Sequence, residues 1–120
     1  MNVKIVYMPN VTSTFLDDLA KEMPVIISEV LEVAGGKLAI LKKDQVSLEF
    51  LQASIRDTGA DIRIMVYARN IDPRTSTQNN QAKTILEKIV SLVSKSGAEY
   101  SVNIRIYFME IRAAEHSISA

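Results

Sequence analysis

Cysteine is missing from the 120-residue chain, which excludes disulfides, thiolate catalysis and thiolate metal sites in one step. Histidine occurs once, as His116 in the polar stretch EHSISA. A histidine metal cluster or a Ser-His-Asp arrangement therefore cannot be built within one chain, and neither a metal nor a cofactor is expected. Charge of one sign does not dominate either: fourteen Lys and Arg balance fourteen Asp and Glu, leaving no global field to draw nucleic acid or an anionic membrane. No apolar run approaches the roughly 18 residues of a membrane span, and no charged-then-apolar leader opens the chain. These absences together read as a cytoplasmic protein without membrane or nucleic-acid partners. What is present is an ordinary globular composition, 48% hydrophobic and 23% charged, in a length suited to one domain with one core.

Six residues, IVYMPN (Ile5 to Asn10), return nearly unchanged sixty positions later as MVYARN (Met65 to Asn70). A second echo, QVSLEFL against SVNIRIYF, lies at an offset of fifty-six. Around them each half reads strand, helix, strand. NVKIVYM alternates and is rich in β-branched residues, as a strand should be. PNVTST is a turn with capping residues, after which Asp17 and Asp18 are expected in the first helical turn, at the positive end of the helix dipole. Leu16, Leu19, Met23, Ile26, Ile27 and Val30 recur at three- and four-residue steps and make one apolar stripe. Pro24 interrupts it, so the helix either kinks there or starts its regular part there. Gly35 or Gly36 is expected to end it in a left-handed cap, and VSLEFL follows as a strand.

In the second half DIRIMVYAR is a strand, NIDPRTST a turn, and QNNQAKTILEKIVSLVSKSG a helix with Ala82, Ile85, Ile89, Leu92 and Val93 on its stripe and Gly97 at its end. SVNIRIYFMEI closes as the last strand. The chain is thus read as α+β: a duplicated βαβ unit forming a two-layer sandwich, a four-stranded mixed sheet with two helices on one face. The single domain is expected over residues 1–112, its repeats over about 1–55 and 58–112, with a tail at 113–120.

Side-chain parity assigns the sheet faces. Val3, Ile5, Tyr7, Val46, Leu48, Phe50, Ile62, Ile64, Val66, Val102, Ile104, Ile106 and Phe108 should lie under the helices. The opposite face carries Met8, Leu51, Met65, Tyr67, Tyr107 and Met109 among Lys4, Glu49, Arg63, Arg69 and Arg105. Met, Tyr and Arg are enriched at protein interfaces, so this face reads as a contact between subunits, with Arg63 and Arg105 pairing to Glu49 across it. The alternative is a hydrated sheet face with scattered apolar residues.

Tandem βαβ units with a covered face and a partner-seeking face resemble the tautomerase superfamily. DQVSLEF (Asp44 to Phe50) is similar to its strand after the first helix. YARNIDPRTSTQNNQAKTILEKI (Tyr67 to Ile89) is similar to the strand, turn and helix of its 5-carboxymethyl-2-hydroxymuconate isomerase branch. Pro24 resembles a proline early in the first helix of a further bacterial branch. The resemblance spans about residues 2 to 111 and implies the fold of macrophage migration inhibitory factor, a homotrimer assembled through the sheet face, and a small-carboxylate pocket at the subunit boundary. It further implies keto–enol chemistry by an N-terminal proline whose amine moves a proton between carbon and oxygen. Here Asn2 stands after Met1, and asparagine is too large for efficient removal of the methionine. No catalytic residue is therefore assigned: the Met1 amine and Asn2 occupy the expected position, and the proline reaction is not expected.

By the same resemblance Arg69, Arg74 and Tyr107 border the pocket and bind the carboxylate, near Asn2 and a helix N-terminus. The competing reading of both arginines is solvated turn residues, and of Tyr67 and Tyr107 packing residues. Two other functions stay open. One is a ferredoxin-like, non-catalytic binding or regulatory module, which shares the βαββαβ order and would be marked by pairing of the first and third strands at the sheet centre. The other is a keto–enol isomerase using the Met1 amine, whose ordinary pKa of about 7.7–8.0 suits a base. The tail RAAEHSISA is expected to pack on a neighbouring subunit.

Overall fold

The computed structural model describes residues 1–31, 46–69 and 78–118. Its elements run β1 (Asn2–Tyr7), α1 (Ser13–Leu31), β2 (Ser47–Gln52), β3 (Ile62–Arg69), α2 (Gln78–Ser96) and β4 (Val102–Met109).

Helix α1 opens one turn earlier than the two aspartates suggest, because Thr12 caps it: the Thr12 hydroxyl accepts the Phe15 N–H at 3.2 Å. That bond satisfies one of the amides left without a partner at a helix start, and it leaves no acid in the first turn. Tyr100 holds the same corner, its hydroxyl accepting the Thr12 N–H at 3.1 Å and its ring meeting Phe15 edge-on at 5.3 Å. Pro24 lies inside α1, so it is neither a start nor a break. It removes one helical hydrogen bond, yet Met23, Ile26 and Ile27 on either side are buried, and this packing holds the turn helical. Gly35 and Gly36 lie outside the described residues. At the end of α2, Gly97 takes φ +78° and its N–H donates to the Ser94 carbonyl at 3.2 Å, a left-handed cap as expected.

The sheet order is β2-β1-β3-β4. β1 runs parallel to β2 and β3 parallel to β4, while β1 and β3 meet antiparallel at the centre. Central pairing of the first and third strands therefore does not mark a ferredoxin-like sheet; direction and adjacency do. In a split βαβ unit another strand separates the two strands that a helix connects. Here each helix joins strands that are direct neighbours, which overturns the ferredoxin-like sheet of that alternative.

The helix-facing set falls as parity dictates. Val3, Ile5, Val46, Ile62, Ile64 and Val66 are buried with Leu19, Met23, Ile27, Ile85 and Ile89 in one core, and Tyr7, Leu48, Phe50, Val102, Ile104, Ile106 and Phe108 pack against it. Both helices thus cover one face. The two sequence echoes fare differently. The echo at fifty-six keeps faces, since Val46 and Val102 both turn to the core. The echo at sixty does not: Tyr7 packs on the core, whereas Tyr67 pairs with Asn2 and stacks on Tyr107 on the other face. Antiparallel β1 and β3 are related by odd offsets, because paired positions add to an odd number (Asn2 with Tyr67, Val3 with Val66). An even offset reverses the side-chain direction.

One polar clamp joins the ends of three strands. Asp61 Oδ2 accepts from the Ser101 N–H at 2.9 Å and from its hydroxyl at 3.2 Å, while that hydroxyl accepts the Asp61 N–H at 2.8 Å. The Asp61 carbonyl also accepts the Met8 N–H at 2.8 Å, tying the start of β3 to the end of β1. The Ser101 amide foremost, then the Ser101 hydroxyl and Asn10 amide, hold the Asp61 carboxyl below its ordinary 3.8, with partial burial opposing. A carboxyl lowered by folding stabilises the fold above its unfolded value, and that contribution disappears as pH falls through the folded value. Asp61→Asn should therefore lower the urea midpoint at pH 7, and its gap from wild type should narrow once pH drops below about 3.8. In the core, Ile64 is fully buried, and Ile64→Ala should remove about 2–5 kcal/mol of stability in the same urea titration.

Candidate functional site

The face of the sheet away from the helices is organised in transverse rows set by strand register. Ser47, Asn2, Tyr67 and Tyr107 form one row, Glu49, Lys4, Met65 and Arg105 the next, and Leu51, Val6, Arg63 and Asn103 a third. Beyond the first row, Arg69 pairs with Met109. Leu51 is 49% exposed, and Tyr107 and Met109 are each 38% exposed. The apolar side chains on this face are thus spread across all its rows among polar and charged ones. Val6 is the exception, at 8% exposure beneath its neighbours in the sheet.

At the Asn2 end the surface dips into a depression of about 290 Å³ lined by Asn2, Val3, Lys4, Ser47, Leu48, Glu49 and Tyr67. It exists because β1 begins here between β2 and β3, so the first residue of the central strand is flanked on both sides. Asn2 brings a carboxamide, Lys4 an ammonium, Glu49 a carboxylate and Tyr67 a phenol, which supply donors and acceptors of both charges. Lys4 and Glu49 are cross-strand partners, so each charge has its counterpart alongside. The Tyr67 ring is held by stacking on Tyr107, centroids 5.2 Å apart and planes at 13°, an arrangement that fixes the phenol rim of the depression. Met1 backs the site: its side chain packs on the core and its carbonyl accepts the Ser47 N–H at 2.9 Å.

Of the residues expected at this site, Asn2 lines the depression and Tyr107 adjoins it through Tyr67. Arg69 is two positions beyond Tyr67 on the same face, at the exposed end of β3. Arg74 lies outside the described residues. Sequence reasoning left Lys4 as a member of the open face and gave Glu49 only to pairing with Arg63 and Arg105, and it assigned none of Ser47, Lys4 and Glu49 to this site. Their signal was the alternation of β1 and β2, but it becomes a site only through the register that sets Lys4 beside Glu49 and Asn2 beside Ser47. Among the described residues no group of three or more His, Asp or Glu side chains is arranged to hold a metal, and no helix among them is long and apolar enough to cross a membrane.

No protein-family model and no curated protein sequence matches the chain. Solved structures do. A macrophage migration inhibitory factor-like protein from Entamoeba histolytica superposes with a TM-score of 0.61 at 15% identity, over 97% of this chain and 96% of that one. A malonate semialdehyde decarboxylase inhibited by 3-bromopropiolate gives 0.65 at 14% identity, over 100% and 92%. A member of the cis-3-chloroacrylic acid dehalogenase family gives 0.66 at 7%, over 92% of this chain and 76% of that one. A wild-type fused 4-OT in an asymmetric trimer gives 0.59 at 12%, over 92% and 87%. At such identities the likeness is one of fold, carried by near-complete coverage and by the same two-helix, four-stranded plan. The chain has the fold of the tautomerase superfamily.

Proposed function

We propose that this chain is a self-associating member of that fold, a homotrimer built through the open sheet face, with a small-carboxylate pocket at the Asn2 end and no proline-based tautomerase activity. The observation that carries the reading is the depression lined by Asn2, Lys4 and Tyr67 at the start of the central strand. Lys4 and Arg69, one row away, supply the positive charge for a carboxylate, to which the sequence resemblance adds Arg74, and the Tyr67–Tyr107 stack supplies an apolar wall. A small carboxylate is also what the likenesses suggest, since one neighbour is a malonate semialdehyde decarboxylase inhibited by 3-bromopropiolate and another a chloroacrylic acid dehalogenase family member. Self-association draws on the apolar content of the open face and on the trimers formed by fused 4-OT proteins. The exposed segment after β4, with Ile118 at 87% exposure, supplies a further contact to a neighbouring copy. The expected absence of proline chemistry rests on Asn2 at the start of β1: with Met1 before it, its backbone nitrogen is a peptide amide, whose delocalised lone pair is not the basic amine that proline would supply.

Light scattering on a sizing column should give a mass near three chains over a range of concentrations; a monomer throughout would overturn the assembly. With malonate as probe, calorimetry should detect binding that Arg69→Ala weakens about ten-fold, the worth of one charge-assisted hydrogen bond. Unchanged affinity in that variant would remove Arg69 from the pocket. Enol-pyruvate and hydroxymuconate-type substrates should show no turnover. Turnover that disappears when the N-terminal amine is blocked would favour the Met1-amine isomerase instead.

A further inference from the structure

The open face holds a second depression, of about 360 Å³, at the end away from Asn2. The Thr58–Ala60 loop, Arg63, Met65, Asn103 and Arg105 line it. Arg63 is the cross-strand partner of Asn103, and Arg105 that of Met65, so the two arginines are diagonal neighbours on adjoining parallel strands. None of the described residues lining this depression is acidic.

Three features set Arg63 apart from a solvated surface arginine, with the exposed Arg105 beside it. First, Arg63 Nε is buried with no hydrogen-bond partner among the described residues, and a charged donor sealed from water without an acceptor is costly to leave in that state. Second, the acids of the adjacent loop are engaged elsewhere. Asp57 accepts from the Ser54 N–H at 2.7 Å, and Asp61 accepts from Ser101 and Asn10. Third, the loop is shaped around the arginine. Gly59 takes φ +135°, and a Cβ at that position would come within 3.2 Å of Arg63 Cδ. Only glycine combines that backbone angle with room for the stem of Arg63, so packing orients the guanidinium toward the depression.

We propose that this depression is an oxyanion site, in which Arg63 and Arg105 hold a phosphate or carboxylate group and the Asn103 amide adds a donor. Planar guanidinium groups match the paired oxygens of such anions. Every lining residue comes from one chain and none is shared with the Asn2-end pocket; alongside the assembly proposed above, the site requires that the subunit contact leave this end of the open face uncovered.

The test is the thermal midpoint of the full chain titrated with inorganic phosphate, ionic strength being held constant with chloride, and repeated with malonate. A ligand that binds the folded state raises Tm with its concentration. Phosphate, malonate or both should raise the wild-type midpoint, and the anion class is the one whose response falls in Arg105→Gln, since malonate also has the Asn2-end pocket proposed above. The affinity should fall about ten-fold or more in Arg63→Gln and in Arg105→Gln, while Lys88→Gln, on an exposed helix position away from both depressions, keeps the response. Arg105 is exposed, so its variant keeps the fold and the test stands even where Arg63→Gln does not fold. A midpoint whose response to each of the two anions is either absent or equal in Arg105→Gln would overturn the site. A response lost in Arg69→Gln but kept in Arg105→Gln would overturn it too, by assigning the anion to the Asn2 end. So would an inert anion together with a mass that falls in Glu49→Gln, which would give the arginines to a second copy.

Discussion

The antiparallel pairing of β1 with β3 is the constraint on which the rest of the molecule depends. Each βαβ unit alone is two parallel strands with one helix over them, and its apolar face is too small to exclude water. Joined edge to edge through β1 and β3, the units offer four strands to two helices. Ile5 and Ile64, partners across that seam, become fully buried. Each fully buried aliphatic side chain of this kind stabilises by about 1.5–3 kcal/mol. The clamp between Asp61 and Ser101, with the Met8 amide on the Asp61 carbonyl, fixes the register at one end of the seam. The start of β1 between β2 and β3 makes the depression at the other.

The same seam decides what the open face can be. Because partners across paired strands point the same way, antiparallel pairing sets Asn2 beside Tyr67 and Val6 beside Arg63. Polar and charged groups thereby gather at two separate ends, one mixed in charge around Asn2, Lys4 and Glu49, the other purely cationic around Arg63 and Arg105. Between and around them lie Met65, Tyr107, Met109 and Leu51. An apolar sheet face interrupted by two chemically distinct hollows is a different object from a hydrated surface.

Much of this was legible in the residues themselves. Alternation in NVKIVYM, VSLEFL, DIRIMVYAR and SVNIRIYF specified four strands and separated their two faces, because a strand side chain has only two directions available. Three- and four-residue spacing specified both helices, and Gly97 marked the end of the second. Local signals failed where a competing local interaction was stronger. Thr12 began α1 ahead of the aspartates because a capping hydroxyl satisfies an amide directly, and Pro24 stayed inside the helix because the buried residues on both sides outweigh one missing hydrogen bond. The echo at sixty was misleading for a geometric reason: in an antiparallel pair the equivalent positions differ by an odd number, so Tyr7 and Tyr67 share a sequence context but face opposite sides.

The sequence by itself determined the elements, the composition of each sheet face and the absence of thiol or histidine chemistry, since these follow from residue identity and spacing along one strand or helix. Only the tertiary structure decided which strands are neighbours and in which direction, and with that the pairing of Lys4 with Glu49, the Tyr67–Tyr107 stack and the convergence of Arg63 with Arg105 under Gly59. These are relations between residues about forty or more apart in the chain. They depend on the register that the packed core enforces, which no local pattern encodes.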